Sequence, residues 1–65
     1  MLHAGSVRHN LDPFGERTGA QVEAALLRAR LPLEMLEQPV DKAGANLSSG
    51  ERQLLCFARA LLKAE

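Results

Sequence analysis

Asn46-Leu47-Ser48-Ser49-Gly50-Glu51-Arg52-Gln53-Leu54-Leu55 sets two hydroxyls and a glycine directly ahead of an amphipathic segment. Leu54, Leu55, Ala58, Leu61 and Leu62 recur at helical spacing on one side, with Arg52, Arg59 and Lys63 on the other, so the spacing predicts a helix from about Ser49 to Ala64. Ser48 is the expected N-cap, and Glu51 three residues on completes an S-x-x-E capping box. The first N–H groups of a helix lack intrahelical partners and carry partial positive charge, which makes such an end suitable for an anion. Gly50 leaves the approach free of a Cβ. The same features also begin helices that bind nothing, and the residues alone leave both readings open.

Upstream, Thr18 and Gln21 repeat the capping-box spacing. Val22, Ala25, Leu26 and Ala29 follow at i, i+3, i+4 and i+7, which predicts a helix over about Gly19 to Arg30, closed by Pro32. Ser6 caps a short turn through Val7-Arg8-His9-Asn10, and Asp12-Pro13 stops it, because a residue before proline is pushed out of the helical region. Phe14 to Arg17 reads as a loop, Leu33 to Glu37 as one further helical turn, and Pro39 to Asn46 as a polar connection with a short extended piece at Val40. Met1 to Ala4 lacks the charged and apolar regions of a secretion signal and reads as the end of a strand or loop.

The chain has 65 residues, 46% of them hydrophobic and 25% charged, which is the composition of a folded segment. A chain of this length buries a small core. With Phe14 and Phe57 as the only aromatic residues, that core must be built from leucine, valine and alanine. Eight basic and eight acidic side chains balance, so no electrostatic footprint for nucleic acid or an anionic membrane is present. The longest apolar run falls far short of the ~20 residues that span a bilayer, so direct membrane insertion by this segment is not expected. Cys56 is the single cysteine and suits a reducing compartment and a packing role. His3 and His9 stand in no metal-ligand or catalytic spacing, Asp12 reads as turn chemistry, and Arg52 and Arg59 read as solvated or ion-paired surface residues.

Leu47-Ser48-Ser49-Gly50-Glu51-Arg52-Gln53 resembles the signature motif of ABC-type ATPases, usually Leu-Ser-Gly-Gly-Gln followed by Arg or Gln. Gly5-Ser6-Val7-Arg8-His9-Asn10-Leu11-Asp12-Pro13-Phe14 is similar to the Gly-Thr-Val-Arg-x-Asn-Leu-Asp-Pro-Phe segment of subfamily C, the multidrug-resistance-associated exporters. Gln53 to Lys63 resembles that subfamily's helix after the signature. The three blocks cover nearly the whole chain in the right order.

The resemblance implies a mainly α fold: the helical subdomain of an α/β P-loop ABC ATPase domain, three to four helices in an open arrangement, with residues 1–65 forming part of one nucleotide-binding domain. The Gly-rich lysine loop, the acidic magnesium-binding strand, the catalytic glutamate and the switch histidine are not in this sequence, so no residue of it is expected to be catalytic. In the family two nucleotide-binding domains dimerise head to tail, and each ATP is held by one and covered by the signature of the other. Carried over by position, Ser48 offers its hydroxyl and Gly50 its N–H to the γ-phosphate. Ser49 takes the first glycine position, which subfamily C varies. Glu51 stands where the family has glutamine, near ribose and phosphates, and the residues also make it the cap partner of Ser48.

ATP is therefore the implied ligand, with magnesium supplied by the rest of the domain. The implied partners are the second nucleotide-binding domain and the membrane-spanning domains, at the cytoplasmic face of a membrane. Two other readings remain: a free-standing helical module that docks through Val22/Leu26 and Leu54/Ala58/Leu61, and a truncated product without separate activity.

Overall fold

Ser6 begins the first helix as its spacing requires. Its Oγ accepts from the His9 N–H at 3.0 Å, and α1 runs Val7–Leu11, one residue beyond the expected turn. In this computed structural model, which describes residues 2–64, the chain then turns on Asp12. One carboxylate oxygen accepts from the Glu16 N–H at 3.0 Å and the other from the Arg17 N–H at 2.9 Å, so the aspartate serves turn chemistry as its sequence position suggests. Helix α2 spans Gly19–Arg28 and opens with both bonds of the Thr18–Gln21 capping box, at 2.8 and 3.1 Å.

The sequence expectation carried α2 to Arg30, two residues too far. Pro32 disfavours helical backbone at Leu31, and the reversal is made before it. Arg30 takes the left-handed conformation at φ 64 and donates to Leu27 O, while Leu31 donates to Leu26 O, which is the Schellman pattern with arginine where glycine is usual. Pro32 precedes a 3-10 turn at Leu33–Glu37, as expected.

Val40 is extended, and its partner is one the sequence did not announce. Strand β1, Gly5–Ser6, pairs antiparallel with β2, Pro39–Val40, matching Gly5 to Val40 and Ser6 to Pro39. The Val7 N–H extends the link by donating to Gln38 O at 3.0 Å. Asn10, 2% exposed, joins the N-terminal segment to α1: its Oδ1 accepts from the His3 N–H, and its Nδ2 donates to His3 O and Ser6 O. Each buried polar atom of the side chain is thereby satisfied, and the chain before α1 is bound to the first helix rather than left as a loose end.

Helix α3, Ser49–Ala64, lies against both α1 and α2. Its buried line is Leu55, Ala58 and Leu62, with Leu61 partly covered. These side chains close over Val7, Leu11, Val22, Leu26 and Met35 in one core of leucine, valine, alanine and methionine. Both phenylalanines stay outside, Phe14 at 83% and Phe57 at 50% exposure. Leu54, expected on the apolar face, is 37% exposed at its edge. Cys56 is exposed, so the packing role expected for it does not hold: on a helix whose covered line runs through residues 55, 58 and 62, position 56 points away. Val22, Leu26 and Ala58 are already buried inside the chain, which removes them from any docking surface. At the far end of α3 the Arg17 guanidinium places Nε and Nη2 on Leu62 O, at 3.0 and 2.7 Å, adding positive charge where the helix dipole is negative.

A domain of this size has about 3–10 kcal/mol of stability in hand, so deletion of one fully covered side chain is decisive. Leu26→Ala is expected to cost about 2–5 kcal/mol and to abolish or sharply lower the cooperative thermal transition followed by circular dichroism. Arg30→Gly is expected to act in the opposite direction. Relief of the left-handed strain outweighs the added chain entropy, and the melting midpoint should rise by an amount equivalent to about 0.5–1 kcal/mol.

Candidate functional site

The start of α3 is held by a short, heavily bonded loop. Asn46 bridges it from within: its Oδ1 accepts from the Asp41 N–H at 2.8 Å and its Nδ2 donates to Pro39 O at 3.0 Å, which ties the loop to the end of β2. Gly44 donates to Asp41 O at 2.7 Å and Leu47 donates to Gly44 O at 3.0 Å. Two consecutive residues, Ala43 at φ 58 and Gly44 at φ 73, take left-handed backbone to make the bend. Gly44 is buried, and a Cβ there would lie 2.9 Å from Leu2 Cδ1 and 3.0 Å from Arg52 Cδ. Glycine is required at this position on both counts. Leu47 then plugs the core and fixes where the helix begins.

Ser48 and Glu51 form the reciprocal box that their spacing predicts: the Ser48 N–H donates to Glu51 Oε1, and the Glu51 N–H donates to Ser48 Oγ, each at 3.0 Å. The Arg52 N–H donates to Ser48 O at 2.9 Å and starts the helical ladder. Helix geometry gives the N–H groups of Ser49 and Gly50 no carbonyl within α3, and both residues are exposed. Around a Cβ built on Gly50 only Ser48 Oγ lies within 4 Å, at 3.9 Å, so the approach to these donors is open. Ser48, Ser49 and Gly50 thus share one exposed helix start. Glu51 is half-buried, with its carboxylate drawn back onto the Ser48 N–H.

Arg52 departs from its sequence reading as a solvated or ion-paired residue. It is half-buried, and its Nη1 donates to Leu47 O at 3.0 Å and to Gly44 O at 3.2 Å. It sits four residues into the helix, where a hydrophobic staple commonly packs on the residue before the cap. Here an arginine reaches back to backbone carbonyls instead. Periodicity places Arg52 on the polar side and contains no signal for these carbonyls, which the loop brings together only after it has bent at Gly44.

A groove lies at the other end of α3 and has no residue in common with the helix start. It encloses about 270 Å³ between the Asp12 turn and the last turns of the helix, with Phe14, Arg59 and Lys63 in its walls. Arg8 and Glu37 form an exposed ion pair at 3.1 Å. At that exposure such a pair adds little stability. Among the described residues no three His, Cys, Asp or Glu side chains come together to hold a metal ion.

Comparison with known proteins places the chain in a family. No family model matches the chain. A multidrug resistance protein of Leishmania tarentolae is 48% identical over 69 aligned residues, covering 97% of this chain and 4% of that protein. The ATP-binding cassette sub-family C member 2 of Homo sapiens is 45% identical, again over 97% of this chain and 4% of the relative. The sub-family C member 4 of Mus musculus is 42% identical, over 97% of this chain and 5% of its own length. The chain therefore spans about one twentieth of the curated relatives it matches. Along nearly its whole length it belongs to subfamily C of the ATP-binding cassette proteins, as a segment of such a sequence.

Proposed function

We propose that residues 1–65 are part of the nucleotide-binding domain of an ABC-type exporter, its helical subdomain, and that the start of α3 is the signature that covers an ATP held by a second nucleotide-binding domain. One observation carries this reading. The Ser49 and Gly50 N–H groups emerge side by side at an exposed helix start whose cap is already satisfied by Ser48 and Glu51, so the donors available to an anion are organised before it arrives.

In this reading the Ser48 hydroxyl keeps accepting from the Glu51 N–H and turns its own proton to a γ-phosphate oxygen. The Gly50 N–H donates to the same group and Ser49 to its edge. Glu51 belongs to the site by holding Ser48 in place, and its carboxylate is turned onto the Ser48 N–H rather than outward. The segment itself neither attacks nor takes a proton. It compensates charge on the phosphoryl oxygens and reports their presence to the rest of the protein, while magnesium and the water-activating group come from elsewhere in the domain. Loss of the γ-phosphate removes what these donors bind, and the two domains separate. Among the described residues no helix is long and apolar enough to cross a membrane. In this reading other parts of the protein make the link to membrane-spanning domains, and this segment lies on the cytoplasmic face.

The test places this segment in the corresponding position of sub-family C member 2 and compares ATP turnover of the chimera with that of its variants. Ser48→Asp retains a good N-cap residue but sets a negative charge against the phosphate, and Gly50→Val fills the approach. Each is expected to lower turnover by about 100-fold to 1,000-fold with the helix intact. Full turnover in both variants would refute the assignment. The isolated 65-residue chain is expected to show no ATP hydrolysis.

A further inference from the structure

We infer that Arg52 is a positioning residue for the phosphate-facing helix start, acting through the two backbone carbonyls that its guanidinium joins. The inference rests on the reading that Ser48, Ser49 and Gly50 face a terminal phosphate. Arg52 meets the approach to α3 at three points: its own N–H donates to Ser48 O at 2.9 Å, and its Nη1 donates to Leu47 O at 3.0 Å and Gly44 O at 3.2 Å. Leu47 O immediately precedes the Ser48 N–H, so the bond to it sets the peptide plane from which Ser48 departs. Gly44 O anchors the bend three residues earlier.

Nη1 carries two N–H groups, so this one nitrogen serves both carbonyls, and the rigid plane of the guanidinium fixes the direction of each donor where an ammonium would rotate freely. The bend is fitted to this side chain. Gly44 is the residue whose absent Cβ leaves room for Arg52 Cδ, at 3.0 Å from the position a Cβ would take, and for Leu2 Cδ1 at 2.9 Å. The arginine and the glycine are therefore two halves of one device. Without the guanidinium, the loop keeps its Asn46 bridge to Asp41 and Pro39, but the last peptide before Ser48 loses its side-chain restraint. Donors displaced by a fraction of an ångström lose most of their value in a transition state, while nucleotide gripped elsewhere still binds.

The experiment uses the same sub-family C member 2 chimera and measures kcat, KM for ATP and the melting temperature of Arg52→Gln, Arg52→Lys, Gly44→Ala and the Gly44→Ala/Arg52→Gln pair. Arg52→Gln is expected to lower kcat by about 10-fold to 100-fold with KM for ATP nearly unchanged, and Arg52→Lys to recover part of it, since its ammonium keeps the charge and the donors without their fixed directions. Gly44→Ala is expected to lose at least as much kcat and also to melt lower, because it strains the backbone and crowds Leu2 as well as Arg52, and the pair is expected to lose no more kcat than Gly44→Ala alone. Full kcat in Arg52→Gln and Arg52→Lys overturns the inference if Ser48→Asp still lowers turnover as expected. If Ser48→Asp is harmless too, the phosphate reading itself has failed. A kcat loss in Arg52→Gln that follows its melting temperature, or additive kcat losses in the pair, also overturns it by making Arg52 only a stabilising residue. Should Arg52→Gln not fold, the kcat of Arg52→Lys decides: partial activity at unchanged KM supports positioning, and full activity refutes it.

Discussion

Burial of one narrow line on α3 is the constraint around which the rest of the chain is arranged. Leu55, Ala58 and Leu62 are covered by α1, α2 and the segments that join them, and a side chain as small as Ala58 lets neighbouring backbone approach closely. Isolated helices of this length are marginal in water, so α3 depends on that cover and the cover depends on α3. Without large aromatic residues inside, the core gains its stability from the number of aliphatic contacts rather than from a few anchors. The polar bonds at the margins have a different task. Asn10 fixes the N-terminal segment, the Arg17 fork closes the C-terminal end of α3, and the capping box closes its beginning.

The two ends of α3 are treated in different ways, and the difference bears on function. At the C-terminal end an arginine sits on a free carbonyl. At the N-terminal end the cap uses only the third N–H and leaves the first two facing outward. In the proposed reading these open donors, held in direction by Ser48, Glu51 and Arg52, meet an anion carried by another body.

The substitutions that separate this chain from the common signature pattern have physical consequences in the structure. Glutamate at position 51 completes a reciprocal cap through its carboxylate, so the change to a charged side chain is absorbed by the helix end. Serine at position 49 occupies an exposed first-turn site where helical backbone needs no glycine. The glycine that the backbone does require is Gly44, outside the recognisable motif, where φ is positive and two side chains fill the space of a Cβ.

Local chemistry alone determined much of this protein. Three S/T-type caps, the periodic lines of α2 and α3, the Asp12 turn and the extended Val40 were all legible, because each depends on residues within a few positions of one another. The exposed start of α3 with Ser48, Ser49 and Gly50 was legible for the same reason. Only the tertiary structure decided the pairing of Gly5–Ser6 with Pro39–Val40, the early stop of α2 at an arginine in left-handed backbone, and the bridge from Arg52 to Gly44 and Leu47. These depend on which backbone groups the folded loops bring within about 3 Å of one another. A hydrogen-bond partner of that kind leaves no mark on the identity of its residue, since every residue carries the same carbonyl.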